Sequence, residues 1–143
     1  MASGRQHIAA NSVMAIACVP FSLPIAIGVF MGALLSPDLD TKKSLPMVCT
    51  GYVFLPYLWM VPRHRHWSSH WPIVGTALRL LYVFALFFVL RFCGVVSTEA
   101  AAAIYDFIEI HRRSVILIIA GLEASACLHY LMDATFSEYK RRF

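Results

Sequence analysis

Four long apolar runs make up most of this chain and leave only short polar segments between them. The runs are Val13–Leu35, Pro46–Val61, Ile73–Val96 and Ser114–Met132. A helix that crosses the hydrocarbon core of a bilayer needs about 20 such residues. The chain is 59% hydrophobic and only 14% charged, whereas soluble domains contain roughly 25% charged residues. We therefore expect one integral membrane domain over residues 1–143, with an all-α fold.

The last two runs predict spanning helices. Ile73–Val96 would rise roughly 36 Å as a helix, which is enough to cross a bilayer with some tilt. The intervening segment Ser97–Arg113 mixes apolar and acidic residues. It predicts an amphipathic helix on the membrane surface with Thr98 as its N-cap. Ser114–Met132 then crosses back, so the chain segment after it lies on the same side as the segment before Ile73.

The first two runs contain helix-breaking residues. Pro20 and Pro24 interrupt the first run, while Gly51 and Pro56 interrupt the second. Proline removes a backbone donor and breaks or kinks a helix, and broken helices occur at membrane depth where protein covers them. We predict that both runs are re-entrant helical hairpins that dip into the bilayer and return to the same side.

This topology places seven metal-ligand side chains on one face, formed by residues 1–7, 36–45, 62–72 and 129–143. Imidazoles and carboxylates bind zinc and comparable divalent ions. Seven candidates exceed the four ligands of one structural zinc, so we expect more than one ion, with zinc favoured over manganese or iron. The candidate ligands are His7, Asp38, Asp40, His64, His70, His129 and Asp133.

Each motif also has a simpler interpretation when it is considered alone. His129 and Asp133 are four residues apart, so on a helix they would be neighbours that hydrogen-bond each other. Asp38 and Asp40 could cap a helix or lie in solvent near two lysines. Only the joint pattern of the motifs favours a metal centre.

The densest cluster contains three of the six histidines between residues 64 and 70. His66 and His70 are four apart and compete with His64 and His70 as a ligand pair. The simpler interpretation is a basic, aromatic loop at the membrane interface that binds anionic headgroups. Such a loop is compatible with a metal site.

Three ionisable residues lie within the predicted spans. Arg79 and Arg91 are close enough to the ends of their run to extend toward the interfaces. Glu123 lies deep in the last run, where a carboxylate is costly and is usually paired or functional. We expect it to form an ion pair or hydrogen bond, with Arg79 or Arg91 as partner, or to lie beside the metal ligands.

The basic residues predict which way the site faces. Only Arg112 and Arg113 lie on the side of the membrane opposite the site. Because basic residues are enriched on the cytoplasmic side, this bias points the site toward the cytoplasm. The basic residues on the site's own face are Arg5, Lys42, Lys43, Arg63, Arg65, Lys140, Arg141 and Arg142.

The motifs of the chain resemble those of small membrane proteins known only as uncharacterised metal-binding proteins. The resemblance covers nearly the whole length and rests on residues 3–7, 37–40, 64–70, 75–82, 121–123 and 129–133. It implies the same seven ligands by position. It also suggests that His66 is peripheral, because the family commonly has a small polar residue there.

More distantly, the chain resembles membrane-bound metal-dependent hydrolases of the YdjM-like type. The order of its ligands is similar to that of zinc-dependent phospholipase C and P1-type nucleases, which are helical and act on phosphoesters with clustered zinc ions. The resemblance therefore implies a phosphoester hydrolase.

We expect a divalent-metal-binding membrane protein that hydrolyses a phosphoester, such as a lipid headgroup. A metal-bound hydroxide would be the nucleophile, and Arg63 or Arg65 would neutralise the phosphate charge. The alternative is a non-enzymatic assembly or structural subunit whose metal ties the hairpins together. A transporter is less favoured, because the polar residues within the spans form no continuous path.

The expected partners follow from the same pattern. Membrane lipids surround the chain, and small residues between Gly121 and Ala126 permit close helix packing within the chain, with a second copy or with another membrane protein. Nucleic acid is not expected despite the net charge of +4, because the basic residues flank apolar runs instead of forming a stripe.

Overall fold

The computed structural model describes residues 4–40, 44–50, 53–61 and 71–142, which form helices without a strand. The all-α prediction is confirmed for this part of the chain. Two segments, Pro72–Phe92 and Arg112–Thr135, are long and apolar enough to cross a membrane by length and composition. The helices are α1 (Gly4–Cys18), α2 (Leu23–Leu34), a 3-10 helix (Pro37–Asp40), α3 (Leu45–Cys49), α4 (Tyr57–Met60), α5 (Pro72–Phe92), α6 (Thr98–Ile110) and α7 (Arg112–Arg142).

Helices α1 and α2 form a hairpin whose turn contains Pro20. Ser22 caps α2, because its hydroxyl accepts a hydrogen bond from the Ile25 N–H at 3.5 Å. Pro24 lies in the first turn of α2, where a missing N–H costs no helical hydrogen bond. The turn therefore forms where the prolines predicted it.

The hairpin begins at Gly4, nine residues earlier than the apolar run that predicted it. The apolar run itself starts only at Val13. In the structure His7, Asn11 and Ala15 form one buried stripe along α1. Burial of this stripe against the other helices extends α1 to the start of the described chain.

Helices α2 and α7 make the most extensive helix contact in the described chain. A Cβ added at Gly28 would clash with the backbone carbonyl of Ile118, and one added at Gly32 would clash with the Ser125 side chain. Small residues allow two helix backbones to approach closely. The small-residue face of α7 is thus used for packing within the chain.

The second apolar run forms two short helices, α3 and α4, and residues 51 and 52 between them lie outside the described part. Its aromatic side chains pack against α5: the Tyr57 and Tyr82 rings meet edge to face, and the Tyr82 hydroxyl donates to the Val53 carbonyl at 2.6 Å. Leu39 of the 3-10 helix is fully buried in the same cluster. The second run therefore anchors the 3-10 helix onto α5.

The chain between α5 and α7 differs from the prediction at its boundaries. Helix α5 ends at Phe92 instead of Val96, because Gly94 adopts a left-handed φ of 74°, a conformation that terminates helices. The N-cap of α6 is Ser97, not Thr98, since the Ser97 hydroxyl accepts from the Ala100 N–H at 3.2 Å. Thr98 instead accepts a hydrogen bond from Arg91 at 2.7 Å.

Helix α6 lies on the surface and has no buried residue. Hydrogen bonds, first from its own backbone N–H and then from Ser97, lower the pKa of Glu99. The ionised carboxylate in the first turn interacts favourably with the helix dipole. Helix α6 thus forms without a packed core, as the amphipathic pattern predicted.

One prediction about the ionisable residues in the long helices was wrong, and another was confirmed only in part. Arg79 does not extend to an interface: it is 4% exposed and donates to the Thr76 hydroxyl at 3.0 Å. Glu123 forms a hydrogen bond, as predicted, but its donor is the Cys127 thiol at 3.8 Å instead of Arg79 or Arg91. Both of these hydrogen bonds join residues three or four positions apart on one helix, a spacing that brings side chains together without any tertiary contact.

Large apolar side chains cover much of the described surface, while several polar side chains are buried. Phe21, Phe84, Phe88 and Ile116 are all more than half exposed. The buried polar or charged residues are His7, Asn11, Ser36, Thr76, Arg79, Ser125 and His129. Soluble proteins seldom combine so many exposed large apolar side chains with buried charged or polar ones.

Candidate metal centre

Three elements bring candidate ligands together at one end of the helical bundle. His7 lies near the start of α1, Asp38 in the 3-10 helix after α2, and His129 and Asp133 in the C-terminal half of α7. The hairpin turn reverses the chain, so the start of α1 and the end of α2 share one end. The long helix α7 then reaches that end with its C-terminal half.

The polar atoms of these four side chains lie close together. Nε2 of His7 is 3.4 Å from Oδ1 of Asp133. Nε2 of His129 is 3.7 Å from Oδ1 of Asp38 and 3.9 Å from Oδ2 of Asp133. One ligand-type atom from each of His7, Asp38 and His129 lies within 4.8 Å of the other two.

Each of these three nitrogen–oxygen distances is close to that between two ligands of one divalent ion. Ligand bonds from nitrogen or oxygen to zinc are about 2.0–2.2 Å long, which places neighbouring ligand atoms of a tetrahedral site roughly 3.3–3.6 Å apart. The observed separations of 3.4, 3.7 and 3.9 Å are close to this value and exceed the usual hydrogen-bond length of about 2.7–3.2 Å. Two imidazoles and two carboxylates are also a donor set that zinc accepts.

The two imidazole rings form the buried floor of the candidate site. Their centroids are 3.7 Å apart and their planes differ by 14°. The side chains of His7 and His129 are 5% and 1% exposed, whereas those of Asp38 and Asp133 are 20% and 16% exposed. The site is therefore closed on its histidine side, and its carboxylate side is the more exposed of the two.

Ser36 connects two of the candidate ligands. Its hydroxyl lies 3.4 Å from Nδ1 of His129 and accepts a hydrogen bond from the Asp38 N–H at 3.3 Å. Sequence analysis missed this residue. The signal was a serine two positions before an aspartate, a spacing at which the hydroxyl commonly bonds the backbone in a turn.

Asn11 is the second residue that sequence analysis missed. It lies one helical turn after His7 on the same buried face of α1 and is 1% exposed. Its Oδ1 atom and Nδ1 of His7 are buried without a hydrogen-bond partner among the described residues. In the sequence, the only sign of its role was its position four residues after the candidate ligand His7.

The remaining candidate residues cannot be placed at this site. Asp40 ends the 3-10 helix, but its side chain lies outside the described part of the chain. His64, His66, His70, Arg63 and Arg65 fall wholly outside the described residues. Their roles as ligands or substrate contacts, that of Glu123, and the binding of more than one ion stay predictions.

Comparisons with known proteins place the chain in a family. Searches of curated proteins and of solved structures gave no match. Residues 2–143 match the family described as uncharacterized metal-binding protein (DUF2227). The match spans nearly the entire sequence, and the structure holds a candidate His/Asp/His metal site. The chain therefore belongs to this family of uncharacterized metal-binding proteins.

Proposed function

We propose that this protein is membrane-embedded and binds a divalent metal ion, with zinc favoured, through His7, Asp38 and His129. Asp133 would supply a fourth ligand or a carboxylate beside the ion. The observation that carries the proposal is the convergence of these side chains from three separate elements, with ligand-type atoms within 4.8 Å. Family membership supports metal binding independently.

The distribution of apolar surface supports a location in the membrane. Exposed apolar patches larger than a few hundred Å² are rare on soluble monomers, yet large apolar side chains are exposed along α1, α2, α5 and α7. Helix α1 has 15 residues and α2 has 12, lengths of about 22 and 18 Å. They are shorter than the hydrocarbon thickness of about 30 Å, so we propose a re-entrant hairpin beside two spanning helices, with the metal site facing the cytoplasm.

The greater exposure of the carboxylate side favours a reaction centre, and we propose hydrolysis of a phosphoester such as a lipid headgroup. A bound divalent ion would supply an activated water and neutralise phosphate charge. In this scheme His7 and His129 hold the ion from the buried side. Asp38 would complete the coordination from the more exposed side, and Asp133 would orient the incoming water and accept its proton. This step requires room for substrate on the carboxylate side.

A structural role for the metal is the second candidate. The ligands come from α1, the 3-10 helix and α7, so an ion would tie together elements that are far apart in the chain. Metal binding of this kind contributes directly to folding free energy. It predicts that removing the ion unfolds the bundle, whereas a reaction centre predicts a folded protein that has lost turnover.

Metal content tests the first step of the proposal. The full chain is purified in detergent without chelator, loaded with zinc, manganese or iron, desalted and measured by elemental analysis beside His129→Ala. The matched control is His111→Ala, because His111 is exposed at the junction of α6 and α7. Near-stoichiometric metal in the wild type and the control, lost in His129→Ala, supports the site. Equal metal in all three proteins, or none in the wild type, refutes it.

Turnover and folding separate the two roles. The metal-loaded protein is assayed with phosphodiester and phosphomonoester lipids in mixed micelles, and its circular dichroism is recorded before and after chelation. Metal-dependent phosphate or headgroup release with a retained helical spectrum supports the hydrolase. Loss of the helical spectrum on chelation, without any turnover when loaded, supports the structural role.

A further inference from the structure

Two imidazoles present the same ring nitrogen to the candidate ion. Nε2 of His7 faces the Asp133 carboxylate, and Nε2 of His129 faces both Asp38 and Asp133. Nδ1 of His129 instead lies 3.4 Å from the Ser36 hydroxyl. The two Nδ1 atoms therefore require partners on the side away from the carboxylates.

A neutral imidazole that binds metal through Nε2 carries its proton on Nδ1. Such an N–H usually donates to an acceptor that fixes the tautomer and the ring orientation. Ser36 is placed to accept from His129. Nδ1 of His7 is buried without a partner among the described residues, and so is Oδ1 of Asn11.

These two atoms are complementary, because one is a donor in the metal-binding tautomer and the other is an acceptor. Side chains four residues apart on a helix have Cβ atoms about 5–6 Å apart, and both residues lie on the same buried face of α1. A small rotation of the Asn11 side chain, or one buried water, joins them. Leaving either atom unpaired would cost the full free energy of its desolvation, with no hydrogen bond to offset it.

We propose that Asn11 and Ser36 are positioning residues that hold the Nδ1 atoms of His7 and His129, so that both rings bind the ion through Nε2. The inference rests on the proposed metal site and adds residues to it. Asn11 and Ser36 come from α1 and from the segment after α2. Each therefore ties the position of one ligand ring to the packing of the hairpin.

The decisive variant is Asn11→Leu in the full chain, with zinc affinity measured by competition with a chelator. Loss of an outer hydrogen-bond partner typically weakens metal binding about 10-fold to 100-fold. A merely structural asparagine would lower stability and leave zinc affinity unchanged.

Conservative variants and a control make the test specific. Asn11→Asp and Ser36→Thr keep an acceptor and should restore affinity relative to Asn11→Leu and Ser36→Ala. Ser12→Ala, on the same helix, should leave the affinity within about 2-fold of the wild type. Wild-type affinity in both Asn11→Leu and Ser36→Ala would overturn the inference.

A spectroscopic test on the wild type avoids any effect of substitution on folding. In the NMR spectrum of zinc-loaded protein labelled with ¹⁵N-histidine, two metal-bound imidazoles should carry a proton on Nδ1. The two signals are assigned by the loss of one in His7→Gln and of the other in His129→Gln. Coordination of either ring through Nδ1 would overturn the inference while leaving the metal site intact. Absence of zinc binding in the wild type would instead refute the proposed function itself.

Discussion

The imidazole rings of His7 and His129 stack with centroids 3.7 Å apart, although the residues lie near opposite ends of the sequence. The contact depends on the α1–α2 hairpin, which returns the chain to the end where it began, and on the length of α7. Both rings are almost fully buried. Two adjacent buried imidazoles beside two carboxylates form an arrangement whose clearest chemical use is to hold a cation.

Metal binding should stabilise the folded protein by an amount that rises with the logarithm of the free metal concentration. A ligand at about 1,000 times its dissociation constant adds about 4 kcal/mol to the free energy of unfolding. We expect zinc to raise the melting temperature of the wild type, as measured by circular dichroism in detergent. Asp38→Asn should abolish most of this increase. Asp106→Asn, on the exposed helix α6, is the control, and an equal loss there would argue against a specific site.

The contact between α2 and α7 should tolerate no side chain at Gly28. Gly28→Ala places a methyl group against the Ile118 carbonyl, and relief requires the two helices to separate. Overpacking of this kind costs about 1–3 kcal/mol. Because α2 carries the segment with Asp38, zinc affinity should fall as well.

Gly94→Ala is the matched control for the glycine variant. Gly94 has open space around it but adopts a positive φ, so alanine there costs about 1–2 kcal/mol through backbone strain alone. Zinc affinity should not change, since Gly94 lies beyond the end of α5. A loss of affinity in Gly94→Ala equal to that in Gly28→Ala would contradict the packing argument.

The hydrogen bond from Tyr82 should contribute to holding the 3-10 helix in place. Tyr82→Phe removes the bond to the Val53 carbonyl, which measures 2.6 Å, and should lower the free energy of unfolding by about 1 kcal/mol. Tyr105→Phe changes an exposed tyrosine on α6 and should have little effect. Chemical denaturation in mixed micelles measures the free energy of unfolding of both variants. An equal loss of this free energy in Tyr82→Phe and Tyr105→Phe would contradict a role for the Tyr82 hydroxyl.

Burial of Arg79 should make it far more sensitive to substitution than Arg91. Arg79→Ala removes a buried side chain together with its hydrogen bond to Thr76, and loss of a buried polar network costs more than about 2 kcal/mol. Arg91→Ala removes an exposed contact to Thr98 and should cost about 0.5 kcal/mol or less. Thermal unfolding of the two variants measures the difference. Similar melting temperatures would show that Arg79 contributes no more than a surface residue.

The hairpin geometry predicts a specific labelling pattern in intact membranes. In a protein whose native cysteines are replaced by alanine, a cysteine at His111 should react with an impermeant reagent added on the face opposite the metal site. A cysteine at Phe21, at the tip of the α1–α2 hairpin, should not react from that face, because the hairpin is shorter than the bilayer core. Labelling of both positions from that face would refute the re-entrant hairpin. Release of the unlabelled protein from membranes by alkaline carbonate would refute embedding altogether.

Sequence pattern alone predicted the all-α class, the two long apolar helices, the surface helix and the hairpin at Pro20, because apolar periodicity and helix breakers act locally. It also nominated His7, Asp38, His129 and Asp133 as candidate ligands. Their roles as ligands remain to be tested by the experiments above.

Tertiary packing decided what local patterns could not. The burial of Arg79, the contact of Gly28 with α7, and the placement of Asn11 and Ser36 beside the histidines all depend on which helices meet and at what distance. A polar residue on an amphipathic helix looks the same in sequence whether it faces headgroups or a buried imidazole. Only the close approach of α1, α2 and α7 distinguishes the two environments, since it removes these side chains from solvent and brings them within reach of one another.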